Sequence, residues 1–207
     1  PGAYHTEIND LLLTALGYAL RDINDNTVQV ITLEGHGRED IAPDIDHSRT
    51  VGWYTSMYPV KLNLGSDLRS SIQSVKEGLR SIPNKGIGFG AFATLAGSSY
   101  SHKDLSPVSF NYLGQFDSTH GDWEILGSEG SGVNLHPSNI DHHVVNINGL
   151  VSHGRLCFSI ITRLGEAVTA RLSESFKGHL RDIIIHCEEK LDERGWGSHS
   201  PSDFGTV

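Results

Sequence analysis

The chain has 207 residues, 37% of them hydrophobic and 20% charged, so it is long enough to bury a substantial core. Lys and Arg total 16 and Asp and Glu total 25, and the formal net charge of −9 argues against a nucleic-acid-binding or membrane-surface role. The apolar runs are too short to span a bilayer, and no secretion signal is visible at the start. We therefore expect a soluble, cytoplasmic globular protein.

The first predicted elements are a helix and a strand. Apolar residues between Ile8 and Leu20 recur at a spacing of 3.6 residues, which predicts a helix with Thr6 as its cap. Val28–Leu33 alternates and is rich in β-branched residues, which predicts a strand. This strand leads directly into the polar segment Glu34–Glu39.

A second helix and a second strand are predicted for the middle of the chain. The helix is expected to begin at Ser66, to bury apolar side chains at helical spacing and to stop at Pro83. The glycines of Gly86–Gly90 predict a flexible turn or a tight backbone passage. Val108–Leu113 predicts a short strand.

The last third of the chain predicts a hairpin and a long helix. His143–Val151 and Arg155–Thr162 have the composition of two strands joined by a tight turn. The helix buries a stripe from Phe176 to Leu191, with Ser173 as its expected cap, and a frayed tail or linker follows it. Because helices and strands interleave, the predicted fold class is α/β with a mixed β-sheet and flanking helices.

Two cysteines are too few for a disulfide framework. Cys157 and Cys187 both lie in apolar patterns. This placement predicts small, buried side chains in a reduced, cytosolic protein.

The segment Glu34–Glu39 is the first candidate for chemistry. Glu34 stands at the end of a strand in a glycine-rich segment, where a carboxylate can be presented into a cleft. Partial desolvation at such a place raises a carboxyl pKa toward the range of a general base. The alternative is a polar turn in which Arg38 pairs with a nearby carboxylate.

The second candidate is the strand around Asn111 and Tyr112. Polar side chains within an apolar strand are costly unless they have hydrogen-bond partners. A tyrosine hydroxyl that points into a cleft can donate to a developing oxyanion or relay a proton. A buried tyrosine with one structural hydrogen bond is the alternative, and taken alone it is the more common case.

Two further patterns fail as ligand motifs. Gly86-x-Gly88-x-Gly90 follows a helix and a proline rather than a strand, which excludes a nucleotide-binding loop. His142 and His143 are adjacent, so on a strand their rings point to opposite faces and cannot share one ion. Neither shows a metal-ligand spacing, and we predict two structural strand histidines and no metal site.

Five segments together resemble, in order and approximate spacing, the motifs of the epimerization domains of nonribosomal peptide synthetases. They are Asp10–Gly17, Glu34–Glu39, Arg49–Val60, Pro83–Gly90 and Phe110–Asp117. The resemblance extends from about residue 4 through the final helix. It implies a chloramphenicol-acetyltransferase-like architecture of two lobes that meet at a cleft. Residues 1–195 correspond to the C-terminal lobe, and residues 196–207 to a C-terminal linker or tail.

The resemblance also implies a reaction. Epimerization domains invert, from L to D, the α-carbon of an aminoacyl or peptidyl thioester on a peptidyl carrier protein. The substrate is held on the carrier's 4′-phosphopantetheine, so no tightly bound cofactor is expected. The family's His-His-x-x-x-Asp-Gly loop is absent, because Ile147 and Asn148 stand where His142-His143 would need Asp and Gly. The N-terminal lobe must therefore come from elsewhere, and we expect the isolated 207-residue chain to be inactive.

The roles of individual residues follow from the same resemblance. Glu34 matches the catalytic glutamate, and Tyr112 matches a cleft tyrosine that assists it. The side chains expected to order the loops around the site are His36, Arg38 and Asn111. Trp53 is expected to pack around the cleft floor.

Removal of a thioester α-proton needs a base and stabilisation of the enolate, and inversion needs a proton donor on the other face. One group from each lobe meets that requirement, and which of the two is the base stays open. A condensation domain shares the fold but forms an amide bond, and its motifs differ at Glu34–Glu39 and at Asn111–Phe116. A lobe that only docks carrier proteins is the non-enzyme alternative, and the presence of the histidine-containing lobe distinguishes it from the enzyme.

Overall fold

The computed structural model describes residues 1–40, 44–116, 136, 138–139, 142–194 and 197–205. Within them lies a five-stranded mixed sheet with the strand order β2-β1-β3-β4-β5. The inner pairs β1–β3 and β3–β4 are parallel, and the outer pairs β1–β2 and β4–β5 are antiparallel. The strands are β1 (Val28–Gly35), β2 (Ser56–Asn63), β3 (Val108–Gln115), β4 (Val145–Ser152) and β5 (Arg155–Thr162).

Helices flank this sheet in the described ranges, which confirms the predicted α/β class. The α-helices are α1 (Ile8–Asn24), α2 (Leu68–Arg80), α3 (Phe89–Thr94) and α4 (Glu166–Arg194). Side chains of α1, α2 and α4 share one hydrophobic core with inward-facing side chains of the strands, among them Leu16, Ile72, Phe176, Ile31, Phe110 and Ile147. None of the helices in these ranges is both long and apolar enough to cross a membrane.

Alternation along the strands gives the sheet two different faces. On β1, Ile31 and Leu33 are buried in the core, whereas Val28 and Val30 are exposed on the opposite face. On β5, Phe158 packs toward the core. We call the face that carries Val30 and Glu34 the open face, because α1, α2 and α4 pack on the other one.

The predicted first helix is confirmed, but its cap is different. The helix begins at Ile8, directly after Glu7, whose backbone N–H donates to the Asp10 carboxylate over 2.7 Å. The Thr6 hydroxyl instead donates to the Pro1 carbonyl, so the prediction of Thr6 as the cap is wrong. An acidic residue in the first turn also interacts favourably with the helix dipole.

The second helix begins slightly later than predicted. Asp67, rather than Ser66, is its N-cap, and the Asp67 carboxylate accepts from the Ser70 backbone N–H over 2.7 Å. Of the two predictions for Gly86–Gly90, the tight backbone passage is confirmed at Gly86, where φ is +77° and an added Cβ would lie 2.2 Å from the Tyr58 ring. A turn follows at Ile87 and Gly88, and α3 begins at Phe89.

The predicted hairpin is confirmed as β4 and β5, with positive φ angles at His153 and Gly154 in the turn. However, β4 begins at Val145, so the prediction that His142 and His143 are strand histidines is wrong. The expected cap at Ser173 is also wrong. The final helix begins at Glu166, seven residues before Ser173. Its early turns are stabilised by Leu172, which is buried in the core.

The two cysteines differ in burial, contrary to the prediction that both are buried. Cys157 is exposed, because its neighbour Phe158 takes the core-facing position on β5 and the side chains alternate. Cys187 on α4 is half-buried and packs against the core. Burial raises the pKa of the Cys187 thiol.

The described part of the C-terminal segment folds back onto α2 rather than fraying. The Lys76 side chain is 1% exposed, and its ammonium lies 2.6 Å from the Asp203 carboxylate and 3.0 Å from the Tyr4 carbonyl. The Ser202 hydroxyl donates to the Glu77 carboxylate over 2.7 Å. These contacts join the two ends of the chain. The predicted boundary between residues 195 and 196 lies outside the described residues and stays a prediction.

Candidate functional site

Glu34 lies at the C-terminal end of β1, the strand next to one edge of the sheet. Its side chain is half-buried on the open face. Burial raises the pKa of the Glu34 carboxyl, and the charge of His143 opposes that rise. The predicted desolvation at the end of the strand is therefore present in the structure.

Asn111 holds this carboxylate from the neighbouring strand. Its side-chain amide donates to Glu34 Oε2 over 3.1 Å, in line with the parallel pairing of Leu33 with Phe110. Asn111 therefore contacts the candidate catalytic group directly. From the sequence, Asn111 was expected only to order the loops around the site.

Tyr112 is on the other face of the same strand. It pairs with Gly149, where an added Cβ would meet the core-facing ring of Phe158 at 2.2 Å, and Tyr112 itself packs against the core. Glu34 and Tyr112 nevertheless line one cavity of about 560 Å³, which wraps around the ends of β1 and β3. The catalytic roles of Glu34 and Tyr112 stay predictions.

Arg38 orders the loop between β1 and β2. Its guanidinium donates to the carbonyls of His47 and Thr50 over 2.8 and 2.9 Å and lies 4.0 Å from the centre of the Tyr54 ring. These contacts agree with the predicted loop-ordering role. In the alternative interpretation, Arg38 pairs with a carboxylate. In the structure its guanidinium donates to backbone carbonyls.

Gly37 allows the close contact between this loop and the end of β1. Its φ is +66°, and a Cβ built there would lie 1.6 Å from the Tyr54 carbonyl oxygen. Any larger residue would push the loop away from the Glu34 end of the strand.

Trp53 is 92% exposed in this chain, and its packing around the cleft floor stays a prediction. The loop that Arg38 holds places the indole at the rim of the cavity that Glu34 lines. The buried ring beside this loop is Tyr58, which belongs to the hydrophobic core and also lines the cavity.

His36 belongs to a charged cluster that the sequence did not reveal. His36 Nε2 lies 3.2 Å from the Glu39 carboxylate, and the Lys85 ammonium lies 3.5 Å from the same group. Burial is the larger cause and the charge of Glu39 the smaller one, and together they raise the pKa of Tyr58 to about 12. Glu39, Tyr58 and Lys85 come from separate segments, so no local motif joins them. In the described ranges, no three His, Cys, Asp or Glu residues gather as a metal site would require.

This chain belongs to the condensation domain family, which matches residues 2–199. It is 43% identical to Bacitracin synthase 3 of Bacillus licheniformis, over 98% of this chain and 3% of that protein. It is also 43% identical to Gramicidin S synthase 1 of Brevibacillus brevis, over 98% of this chain and 20% of that protein. The chain therefore spans only a small part of the curated relatives it matches.

A solved structure gives a more particular likeness. The crystal structure of the epimerization domain from the third module of tyrocidine synthetase B matches with a TM-score of 0.80 and 42% identity. The match covers 91% of this chain and 44% of that one. A condensation domain from the enacyloxin polyketide synthase matches at 16% identity with a TM-score of 0.58, which shows a shared fold alone. The predicted resemblance to epimerization domains of nonribosomal peptide synthetases is confirmed.

Proposed function

We propose that this chain supplies the glutamate half of the active site of an epimerization domain, an isomerase of nonribosomal peptide synthesis. The reaction inverts the α-carbon of an aminoacyl or peptidyl thioester. The observation that carries the proposal is the Glu34 carboxylate, half-buried at the end of a strand with a raised pKa and oriented by Asn111. The 42% identity to a solved epimerization domain supports this reaction over others in the family.

The geometry suits proton exchange. A thioester α-proton is weakly acidic, so the base must be held close to it in a partly desolvated place. Burial brings the pKa of Glu34 closer to neutral, and Asn111 limits the rotation of the carboxylate. Inversion needs a second group on the opposite face of the carbanion, and the open face leaves room for it.

The partners follow from the same proposal. The N-terminal lobe of the domain provides the opposing histidine. A peptidyl carrier protein brings the substrate on 4′-phosphopantetheine. Because this chain carries a net charge of −9 and carrier proteins are usually acidic too, we expect docking through a small local patch rather than bulk attraction. A cytoplasmic location stays a prediction.

The test uses the complete domain with a carrier protein loaded with an L-aminoacyl group. Deuterium wash-in at the α-carbon should be rapid, and Glu34→Gln should reduce it by several orders of magnitude, as expected for loss of the proton-transfer group. Glu188→Gln, an exposed position on α4, is the control and should leave the rate unchanged. Near-full exchange in the Glu34→Gln domain would remove Glu34 from the mechanism.

Amide-bond formation is the second candidate, because the family that matches residues 2–199 is the condensation domain family. The same assay separates the two reactions when a second carrier with an acceptor amino acid is added. A D-aminoacyl thioester identifies epimerization, whereas a dipeptidyl thioester identifies condensation. If the complete domain forms neither product, the docking-scaffold alternative is supported.

A further inference from the structure

The ring of His36 makes two contacts that fix the position of its proton. The backbone N–H of Arg38 donates to His36 Nδ1 over 3.0 Å. A ring nitrogen accepts a hydrogen bond only when it carries no proton, so His36 is neutral and its ring proton is on Nε2. His36 Nε2 lies 3.2 Å from the Glu39 carboxylate, which accepts from this N–H. The two contacts together select the Nε2–H tautomer.

These contacts shape the segment that directly follows Glu34. The hydrogen bond from Arg38 to His36 spans two residues and closes a tight turn around Gly37, whose φ is +66°. The turn carries Arg38 toward the loop that its guanidinium orders, and it returns Glu39 to the wall of the cavity that Glu34 lines. The His36 ring therefore holds together the backbone on the C-terminal side of the candidate carboxylate.

Protonation of His36 breaks one of these contacts and keeps the other. A protonated imidazole carries an N–H on both nitrogens, so Nδ1 can no longer accept from Arg38, whereas Nε2 still donates to Glu39. An imidazole ordinarily changes its protonation between pH 5 and 8. The His36 side chain is 64% exposed, so protons from the solvent reach it. The Arg38 contact is therefore present above the pH at which His36 titrates, and it is lost as the pH falls through that value.

The other charged groups around His36 have partners of their own. The Lys85 ammonium lies 3.5 Å from the Glu39 carboxylate, and the Arg38 guanidinium donates to backbone carbonyls. Among the described residues that line this cavity, His36 alone carries an imidazole. The remaining titratable side chains that line the cavity are Glu7, Glu34, Tyr54, Tyr58 and Tyr112.

We propose that His36 is a positioning residue for the candidate site: its neutral Nε2–H tautomer keeps the turn after Glu34 closed, and protonation of Nδ1 opens that turn. The catalytic part of this proposal rests on the proposed function of Glu34. The structural part concerns one hydrogen bond within this chain. It can be measured without turnover.

Nitrogen NMR of the complete domain, with labelled backbone and histidine rings, tests the structural part. Above the His36 titration, Nδ1 should be unprotonated and should show a scalar coupling to the Arg38 amide nitrogen, which arises only across an N–H···N hydrogen bond. A proton on Nδ1 at that pH, or no coupling, overturns the proposal. Below the titration, the coupling should vanish and the Arg38 amide should lose about threefold to tenfold of its protection against exchange. Protection that stays constant across the titration contradicts the opening of the turn.

Two variants separate the hydrogen bond from the titration. Asparagine accepts readily from the backbone N–H two residues further on and has no ring to protonate. His36→Asn should therefore keep the protection of the Arg38 amide at every pH, whereas His36→Ala should lose it at every pH. Equal protection in the two variants contradicts the proposal. His153→Asn, at an exposed turn position that also has a positive φ, is the matched control and should behave as the wild type.

The deuterium wash-in assay tests the catalytic part. In the wild-type domain, the acidic limb of the kcat/KM profile should contain a step at the pH where the His36 ring titrates by NMR. This step should be absent in His36→Asn, and a profile identical to that of the wild type contradicts the catalytic part. If the wild-type domain does not epimerise, the proposed function fails, and the NMR measurements still decide whether His36 controls the turn.

Discussion

The side-chain amide of Asn111 donates to the Glu34 carboxylate over 3.1 Å, although the two residues are 77 positions apart in the sequence.

 Their strands, β1 and β3, are parallel neighbours with Leu33 paired to Phe110, and this pairing in the sheet brings the two side chains together. The contact lies on the open face, which α1, α2 and α4 leave uncovered. The candidate carboxylate is therefore oriented by a neighbouring strand rather than by its own loop.

This contact predicts an effect on rate. Asn111→Ala should lower epimerisation by the complete domain about tenfold, because one hydrogen bond to a charged group is lost. Asn111→Asp should raise the pKa of Glu34, since a second carboxylate then faces the first. The matched control is Asn148→Ala, which removes the amide on the next strand that donates to Asn146. Equal rates in the wild type and Asn111→Ala would show that the contact does not orient the reacting group.

Tyr112 gives a prediction that separates catalysis from packing. If its hydroxyl assists at the cavity it shares with Glu34, Tyr112→Phe should lower the rate on the order of 10²-fold. The ring still fills its place against the core, so the melting temperature should stay close to that of the wild type. A lower melting temperature with an unchanged rate would assign the hydroxyl a structural role only.

The loop between β1 and β2 should loosen in Arg38→Lys. Lysine cannot reach the carbonyls of His47 and Thr50 together, and it loses the planar contact with Tyr54. We expect backbone amide exchange in residues 47–54 to become about tenfold faster, equivalent to roughly 1.4 kcal/mol of lost local stability. Arg49→Lys, an exposed position on the same loop, is the control. Unchanged protection in Arg38→Lys contradicts the ordering role.

Two glycines should respond oppositely to alanine. At Gly37, a Cβ would overlap the Tyr54 carbonyl and φ is +66°, so Gly37→Ala should destabilise the fold. At Gly178 in α4, an added Cβ meets nothing within 4 Å, so Gly178→Ala should stabilise by about 0.5 to 1 kcal/mol. Urea unfolding of the complete domain measures both effects. A neutral Gly37→Ala would mean that the loop does not need this close approach.

The Lys76–Asp203 pair predicts how stability depends on pH. Desolvation raises the pKa of Asp203, but the hydrogen bonds from Lys76 and from the Ser200 backbone outweigh it and lower the pKa to about 2. The folded-state pKa lies below the unfolded value of about 3.9, so the contribution is fully present above about pH 4. It is lost as the pH falls through about 2.

Asp203→Asn tests this pair. Removing the carboxylate that pairs with Lys76, whose side chain is 1% exposed, should cost about 3 kcal/mol near pH 7. The difference in unfolding free energy from the wild type should shrink as the pH approaches 2. Asp192→Asn, at an exposed position on α4, is the control and should have little effect. A difference that does not change with pH would contradict the assigned titration.

Local patterns in the sequence were enough to locate most elements. α1, β1, β3 and the β4–β5 hairpin follow from periods of 3.6 and 2 residues, because each buries one face against the same core. β2 was missed, since Pro59 interrupts its pattern. Proline is tolerated there because β2 is an edge strand among the described residues, where β1 is its partner strand.

The sequence by itself also determined the family resemblance and Glu34 as the candidate carboxylate, because each motif behind them is a short run of consecutive residues. The tertiary structure decided which side chains meet. It placed Asn111 against Glu34, Tyr112 on the core side and Lys76 beneath Asp203. Strand order and the packing of helices on one face control these contacts. They join residues far apart in sequence, which no local period encodes.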